Sequence, residues 1–149
     1  MTCVRVSFGT AGYSPGMALG LSATVANDWL EWLCNASATS AAPTNIWIQL
    51  HTADPGANGT NAVAGNATRK DLTAAMGTAS GGAISNTSAI TWTTGEVDTS
   101  EDYTHWALFD ASTAGTFLCS GLMTANAVTT GDEFTIPVGD LDLTLSTAA

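Results

Sequence analysis

Ile46-Trp47-Ile48-Gln49-Leu50-His51-Thr52-Ala53-Asp54-Pro55-Gly56-Ala57-Asn58-Gly59-Thr60 is the stretch whose reading decides the fold. Ile46, Ile48 and Leu50 alternate with Trp47, Gln49 and His51, which gives a strand with one aliphatic face and one aromatic-polar face. Asp54-Pro55-Gly56 supplies an acceptor, a preset φ and a residue free to take positive φ, so the strand stops there and the chain turns. From Ile46 onward the same grammar recurs, with short runs rich in Thr, Val, Ile and aromatics set between Gly, Asn and Asp turns. It predicts strands near Ile46–His51, Thr68–Ala74, Ala83–Ser85, Ala89–Thr93, Tyr103–Asp110, Thr116–Ser120, Asp132–Pro137 and Leu141–Ser146. Phe134, Ile136 and Val138, followed by Leu141, Leu143 and Leu145, predict a terminal hairpin about Gly139-Asp140.

Upstream, Met17–Cys34 predicts a helix. Thr24, Asn27, Asp28 and Glu31 form a polar stripe, while Leu21, Val25, Trp29 and Trp32 line another face beside Leu30 and Leu33. Ser14 or Pro15 is placed to begin it, and the Ala/Ser/Thr run Asn35–Pro43 to end it. A face holding two tryptophans is expected to lie on a sheet or on another subunit. Residues 1–16 predict an N-terminal arm in which Val4, Val6 and Phe8 alternate along a short strand, tethered to the sheet or to a neighbouring subunit. Residues 17–149 are expected to form a single domain. Many short strands without alternating helices make the expected fold mainly β, an antiparallel β-sandwich of jelly-roll-like type with one N-terminal helix.

Composition narrows the function classes. The chain has 149 residues and only 11% are charged, against about 25% in ordinary soluble domains. Three basic residues stand against thirteen acidic ones, for a formal net charge of −10. Such a chain is ill suited to neutralising phosphates, so no nucleic-acid partner is expected. Cys3, Cys34 and Cys119 lack metal-ligand or disulfide spacing and are read as small buried, reduced thiols. No window approaches the roughly 18 consecutive apolar residues of a membrane span, and Met1–Phe8 lacks the apolar core of a signal peptide. A soluble protein made inside a cell, without membrane association, is the expectation.

The order of motifs resembles a family of small tailed-phage virion proteins, known as tail-fibre, minor tail or head-decoration proteins. The resemblance rests on the helix of Met17–Cys34, on Leu50-His51-Thr52-Ala53-Asp54-Pro55-Gly56 with Gly59-Thr60, and on Arg69. It continues through Ala79-Ser80-Gly81-Gly82-Ala83-Ile84-Ser85-Asn86-Thr87, Ala107-Leu108-Phe109-Asp110-Ala111 and Gly115-Thr116-Phe117-Leu118. Gly131-Asp132-Glu133-Phe134-Thr135-Ile136 and Gly139-Asp140-Leu141 complete it. The resemblance implies a β-rich, non-enzymatic virion component without cofactor, assembled in the bacterial host cytoplasm. Met1–Gly16 and the acidic loop Gly95–Tyr103 depart from the family pattern.

Possible chemical sites read as structure. His51 with Asp54, or His105 with Asp110, could serve as base and orienter of a hydrolase, but each pair points to opposite faces of an extended strand and no nucleophile elbow accompanies them. Asp54 is expected to cap its turn while His51 bonds a loop carbonyl. Glu96, Asp98, Glu101 and Asp102 offer carboxylates to Ca²⁺ without the spacing of a calcium loop, and a solvated acidic loop is expected instead. Asp140 and Asp142 are read as the outer face of a strand. Candidate interface residues are Val4, Val6, Phe8, Trp29, Trp32, Trp47, Arg69 and Trp106, with Arg69 read as a cation able to pair across a subunit boundary. The expected role is head decoration in many copies, through contacts with major capsid or tail proteins and with its own copies. The alternative is a tail-fibre module that stacks a glycan or host receptor on its aromatics.

Overall fold

The computed structural model describes residues 20–37, 41–66 and 68–145. The arm expected over residues 1–16, with Val4, Val6 and Phe8, lies outside the described residues. The fold is mainly β, with several antiparallel sheets in a sandwich-like arrangement and one N-terminal helix. In chain order the elements are β1 (Gly20–Leu21), α1 (Ala23–Asn35), β2 (Trp47–His51), β3 (Lys70–Asp71), β4 (Ala83–Ser85), β5 (Ile90–Trp92), β6 (Glu101–Phe109), β7 (Phe117–Val128), β8 (Phe134–Ile136) and β9 (Asp142–Thr144). A five-stranded sheet has the order β1-β7-β6-β2-β3, and two ribbons, β4-β9 and β5-β8, complete the framework.

The alternation read in β2 governs the packing. Ile48 pairs with Leu108 and Leu50 with Trp106, and these four buried residues face the main core together with Trp92, Tyr103, Ile90, Phe134 and Ile136. Tyr103 meets Phe134 edge-on with ring centroids 5.1 Å apart, and Trp92 tilts against the same ring at 5.7 Å. The Trp92 indole N–H donates to the Thr68 carbonyl at 2.8 Å, so the tryptophan is buried without leaving its polar atom unpaired. Trp47, Gln49 and His51 fall on the other face, opposite Phe109, Ala107 and His105. Loops cover that face as well, because Gly59, at φ +67°, brings its backbone against the rings of Phe109 and Phe117. β2 is therefore sheltered on both sides, with only Trp47 half-buried.

Three elements differ from expectation. The helix begins at Ala23 rather than Met17, because Gly20 and Leu21 pair with Ser120 and Cys119. Ser22 donates its backbone N–H to the Leu118 carbonyl at 2.7 Å, and its hydroxyl caps the Val25 N–H. β7 runs to Val128, well past Ser120, because β6 pairs with it on both sides of an irregularity, Leu122 opposite His105 and Asn126 opposite Tyr103. The expected hairpin does not form: β8 pairs with β5 and β9 with β4, so the chain crosses from one ribbon to the other at residues 137–141.

That crossing is fastened by Asn86, which is 1% exposed. Its Nδ2 donates to the Ser88 carbonyl at 2.8 Å and the Pro137 carbonyl at 2.7 Å, and its Oδ1 accepts from the Leu141 N–H at 2.9 Å. The Asn86 carbonyl also accepts from the Gly139 N–H at 2.9 Å. One side chain thus satisfies three backbone groups where the β4–β5 and β8–β9 connections meet.

Candidate functional site

The polar residues that suggested chemistry are engaged in structure. Asp54 Oδ1 accepts from the Gly56 N–H at 2.8 Å, as an aspartate before Pro55 should. His51 Nδ1 lies 2.8 Å from the Asn61 carbonyl and can only donate to it. Thr104 gives its hydroxyl proton to the Thr52 carbonyl at 2.8 Å, so His105 Nδ1, 2.7 Å from that hydroxyl, is the donor there. Both imidazoles therefore carry a proton on Nδ1, and both Nε2 atoms are buried without a hydrogen-bond partner among the described residues. Burial holds the His51 pKa below its ordinary value, which the proximity of His105 and Arg69 reinforces. His51 and His105 face each other across β2 and β6, each held at Nδ1 by a carbonyl or a hydroxyl rather than by a carboxylate orienter.

Arg69 is bound within its own chain. Its guanidinium lies 3.4 Å from the centre of the Phe109 ring. Its Nε donates to Gln49 Oε1 at 3.2 Å, and one terminal nitrogen donates to the carbonyls of Ala111 and Ala114 at 2.8 and 2.7 Å. These bonds pin the loop after β6 to the aromatic-polar face of the sheet. Lys70 joins Glu96 at 2.5 Å, and Glu96 also accepts from the Thr93 N–H and hydroxyl. Glu101 accepts from the Gly65 N–H at 2.7 Å. With Asp98 accepting from the Thr99 hydroxyl at 3.0 Å, the acidic loop spends three of its carboxylates on separate protein donors, and no metal-ligating cluster of three or more His, Cys, Asp or Glu side chains occurs among the described residues. Beside Arg69 and Glu96 lies an open cleft of about 540 Å³, also lined by Asn66, Thr68, Asp98 and Ser112.

The aromatic candidates separate by environment. Trp106 lies in the main core, where its ring crosses Gly121 and its indole N–H donates to the Leu122 carbonyl at 3.2 Å. Trp47 is half-buried on the opposite face. Trp29 and Trp32 are exposed on α1 with Leu30 and Leu33, and none of the helix residues is buried, so the expected seating of this face on the sheet does not occur. Cys34, read as buried, is exposed at the end of the same helix, whereas Cys119 is buried.

A family profile described as "Podophage GP4 fiber I protein gp80" matches residues 20–144, which run from β1 to the end of β9. The chain belongs to the Gp80 family. It is accordingly a phage virion structural protein. A search among individually curated proteins returned no match. Asn86, which stands in the Ala79–Thr87 motif, and Gly121 hold the fold at the ribbon crossing and at Trp106, roles that the sequence alone does not show. The Asn86-Thr87-Ser88 run resembles an ordinary turn, and only the pairing of distant strands reveals its role.

Proposed function

We propose that the chain is a non-enzymatic structural subunit of the virion fibre, built into the particle in many copies by protein–protein contacts. The observation that carries this reading is the span of the family match, which takes in nearly all of the described fold rather than a local motif. The engagement of His51, His105, Asp54 and Arg69 in structural bonds supports a scaffold rather than a catalyst. The weakly charged surface, rich in Thr, Ser and Asn, faces solvent, and contact with other virion proteins runs through uncharged patches. Assembly takes place in the bacterial host before the particle is released.

A second reading, decoration of the head surface through major capsid proteins, draws on the compactness of the β unit: its described residues contain no repeat or coiled-coil shaft. Glycan recognition has less support, because the two exposed tryptophans sit on a helix rather than at a loop end with Asp or Asn partners. Immunogold labelling of washed particles, with quantitative mass spectrometry for copy number, tests the assignment. Label on the fibres at a fixed stoichiometry is expected. Label spread over the head surface, or loss of the protein on washing, would refute it.

A further inference from the structure

Helix α1 exposes its largest apolar side chains, which is unusual for a chain standing alone in water. No residue of the helix is buried: Val25, Ala26, Asp28 and Glu31 are half-buried, and the Glu31 carboxylate accepts from Asn35 Nδ2 of the same helix. The large apolar side chains are more open to solvent: Trp29 is 49%, Leu30 52%, Trp32 67% and Leu33 65% exposed. At 3.6 residues per turn, the arc from Trp32 through Val25, Trp29, Leu33 and Ala26 to Leu30 covers about 160°, wider than the roughly 100° stripe of an ordinary surface helix. This arc contains no charged side chain.

We propose that this face is a self-association surface, on which α1 of one copy packs against α1 of a second copy of the same chain. Size is the first argument. Two tryptophans and two leucines at these exposures present roughly 500 Å², comparable to the largest apolar patch of a typical monomer. Laid face to face, two copies bury on the order of 1,000 Å², which reaches the lower bound of a specific interface. Charge is the second. A chain with a net charge of −10 repels its own copies over most of its surface, and the uncharged arc of α1 lets them approach at least cost. A patch made only of apolar side chains is also self-complementary, as a two-fold contact requires. The inference rests on the fibre-subunit reading for its place in the virion, but the contact itself is a property of the isolated chain.

Light scattering coupled to size-exclusion chromatography and sedimentation velocity, on the full chain from about 1 to 100 μM, tests it. The wild type is expected to show at least twice the monomer mass. Trp32→Glu with Leu33→Glu is expected to give a monomer, with self-affinity weakened more than tenfold, while Trp32→Leu keeps the oligomer. Because these side chains lie outside the core, the thermal midpoint of the monomeric variant, read by near-ultraviolet dichroism, serves as the folding control. A wild type that stays monomeric at 100 μM overturns the proposal, as does an oligomer untouched by the double substitution. A monomer whose helix tryptophans resist acrylamide quenching overturns it too, and assigns the face to another part of the same chain. Monomers that still label the fibres on particles would end this inference and leave the fibre assignment standing.

Discussion

Replacing Asn86 with alanine removes two donors and one acceptor from a site closed to solvent. Each neutral hydrogen bond contributes about 1 kcal/mol net, and each buried backbone group left without a partner costs about 1–3 kcal/mol. Leu141, whose N–H loses its acceptor, is itself 2% exposed, so water cannot readily substitute there. Summed with allowance for relaxation, the loss is about 3–5 kcal/mol, a large share of the 5–15 kcal/mol that holds a domain together. For a chain of this size that lowers the midpoint by roughly 8–15 °C. Asn86→Asp sharpens the test, because it keeps the shape and the acceptor but sets a carboxylate against the carbonyls of Ser88 and Pro137. Those carbonyls raise the carboxyl pKa in the folded state, so the folded variant binds more protons than the unfolded chain and regains stability as pH falls. Urea titrations of the three proteins at neutral and mildly acidic pH measure this. A loss below 1 kcal/mol for Asn86→Ala, or an Asn86→Asp deficit that does not shrink on acidification, would refute the role given to Asn86.

The other expectations concern the two faces of the sheet. Arg69→Met should cost about 2–3 kcal/mol through its lost bonds to Gln49, Ala111 and Ala114 and its stacking on Phe109, and Arg69→Lys should recover only part, since an ammonium cannot reproduce the fork; chemical denaturation reads both. Gly121→Ala would place its Cβ 2.4 Å from the Trp106 ring, so a loss of about 1–3 kcal/mol with a shift in tryptophan emission is expected, and a neutral outcome would contradict that packing. His51 has a lowered folded pKa, so the unfolded chain binds the extra proton and stability should fall as pH drops below about 6.5, by at most about 1.4 kcal/mol per pH unit. His51→Gln should flatten that part of the profile in thermal melts.

Much of this was legible in the sequence, and what was not shares one cause. The alternation of Ile46–His51 and the stop at Asp54-Pro55-Gly56 predicted β2 and its turn, including the roles of His51 and Asp54, because those signals are local. Ala83–Ser85 was placed with its observed bounds for the same reason. The second half of β7 was missed because Gly121, Ala125 and Ala127 carry little strand preference, and the segment is extended only by its pairing with β6. The hairpin about Gly139-Asp140 was expected because neighbouring strands usually pair, but β5 and β4 claim β8 and β9, with Asn86 supporting the exchange. At the helix, the wide apolar arc was evident, but whether it lay on the chain's own sheet was not. The sequence offers Arg69 as a cation able to pair across a subunit boundary, because its own acceptors are carbonyls of residues far along the chain, which sequence spacing does not bring together.

The central claim is that this chain works as an assembled part of the virion and not as a free protein. A cryo-electron microscopy map of the intact particle tests it most directly. Copies of the five-stranded sheet and its two ribbons are expected within the fibres, with α1 buried against neighbouring protein density. This fold found solely on the head lattice would overturn the fibre assignment, and a particle whose density is fully accounted for by other chains would contradict the central claim.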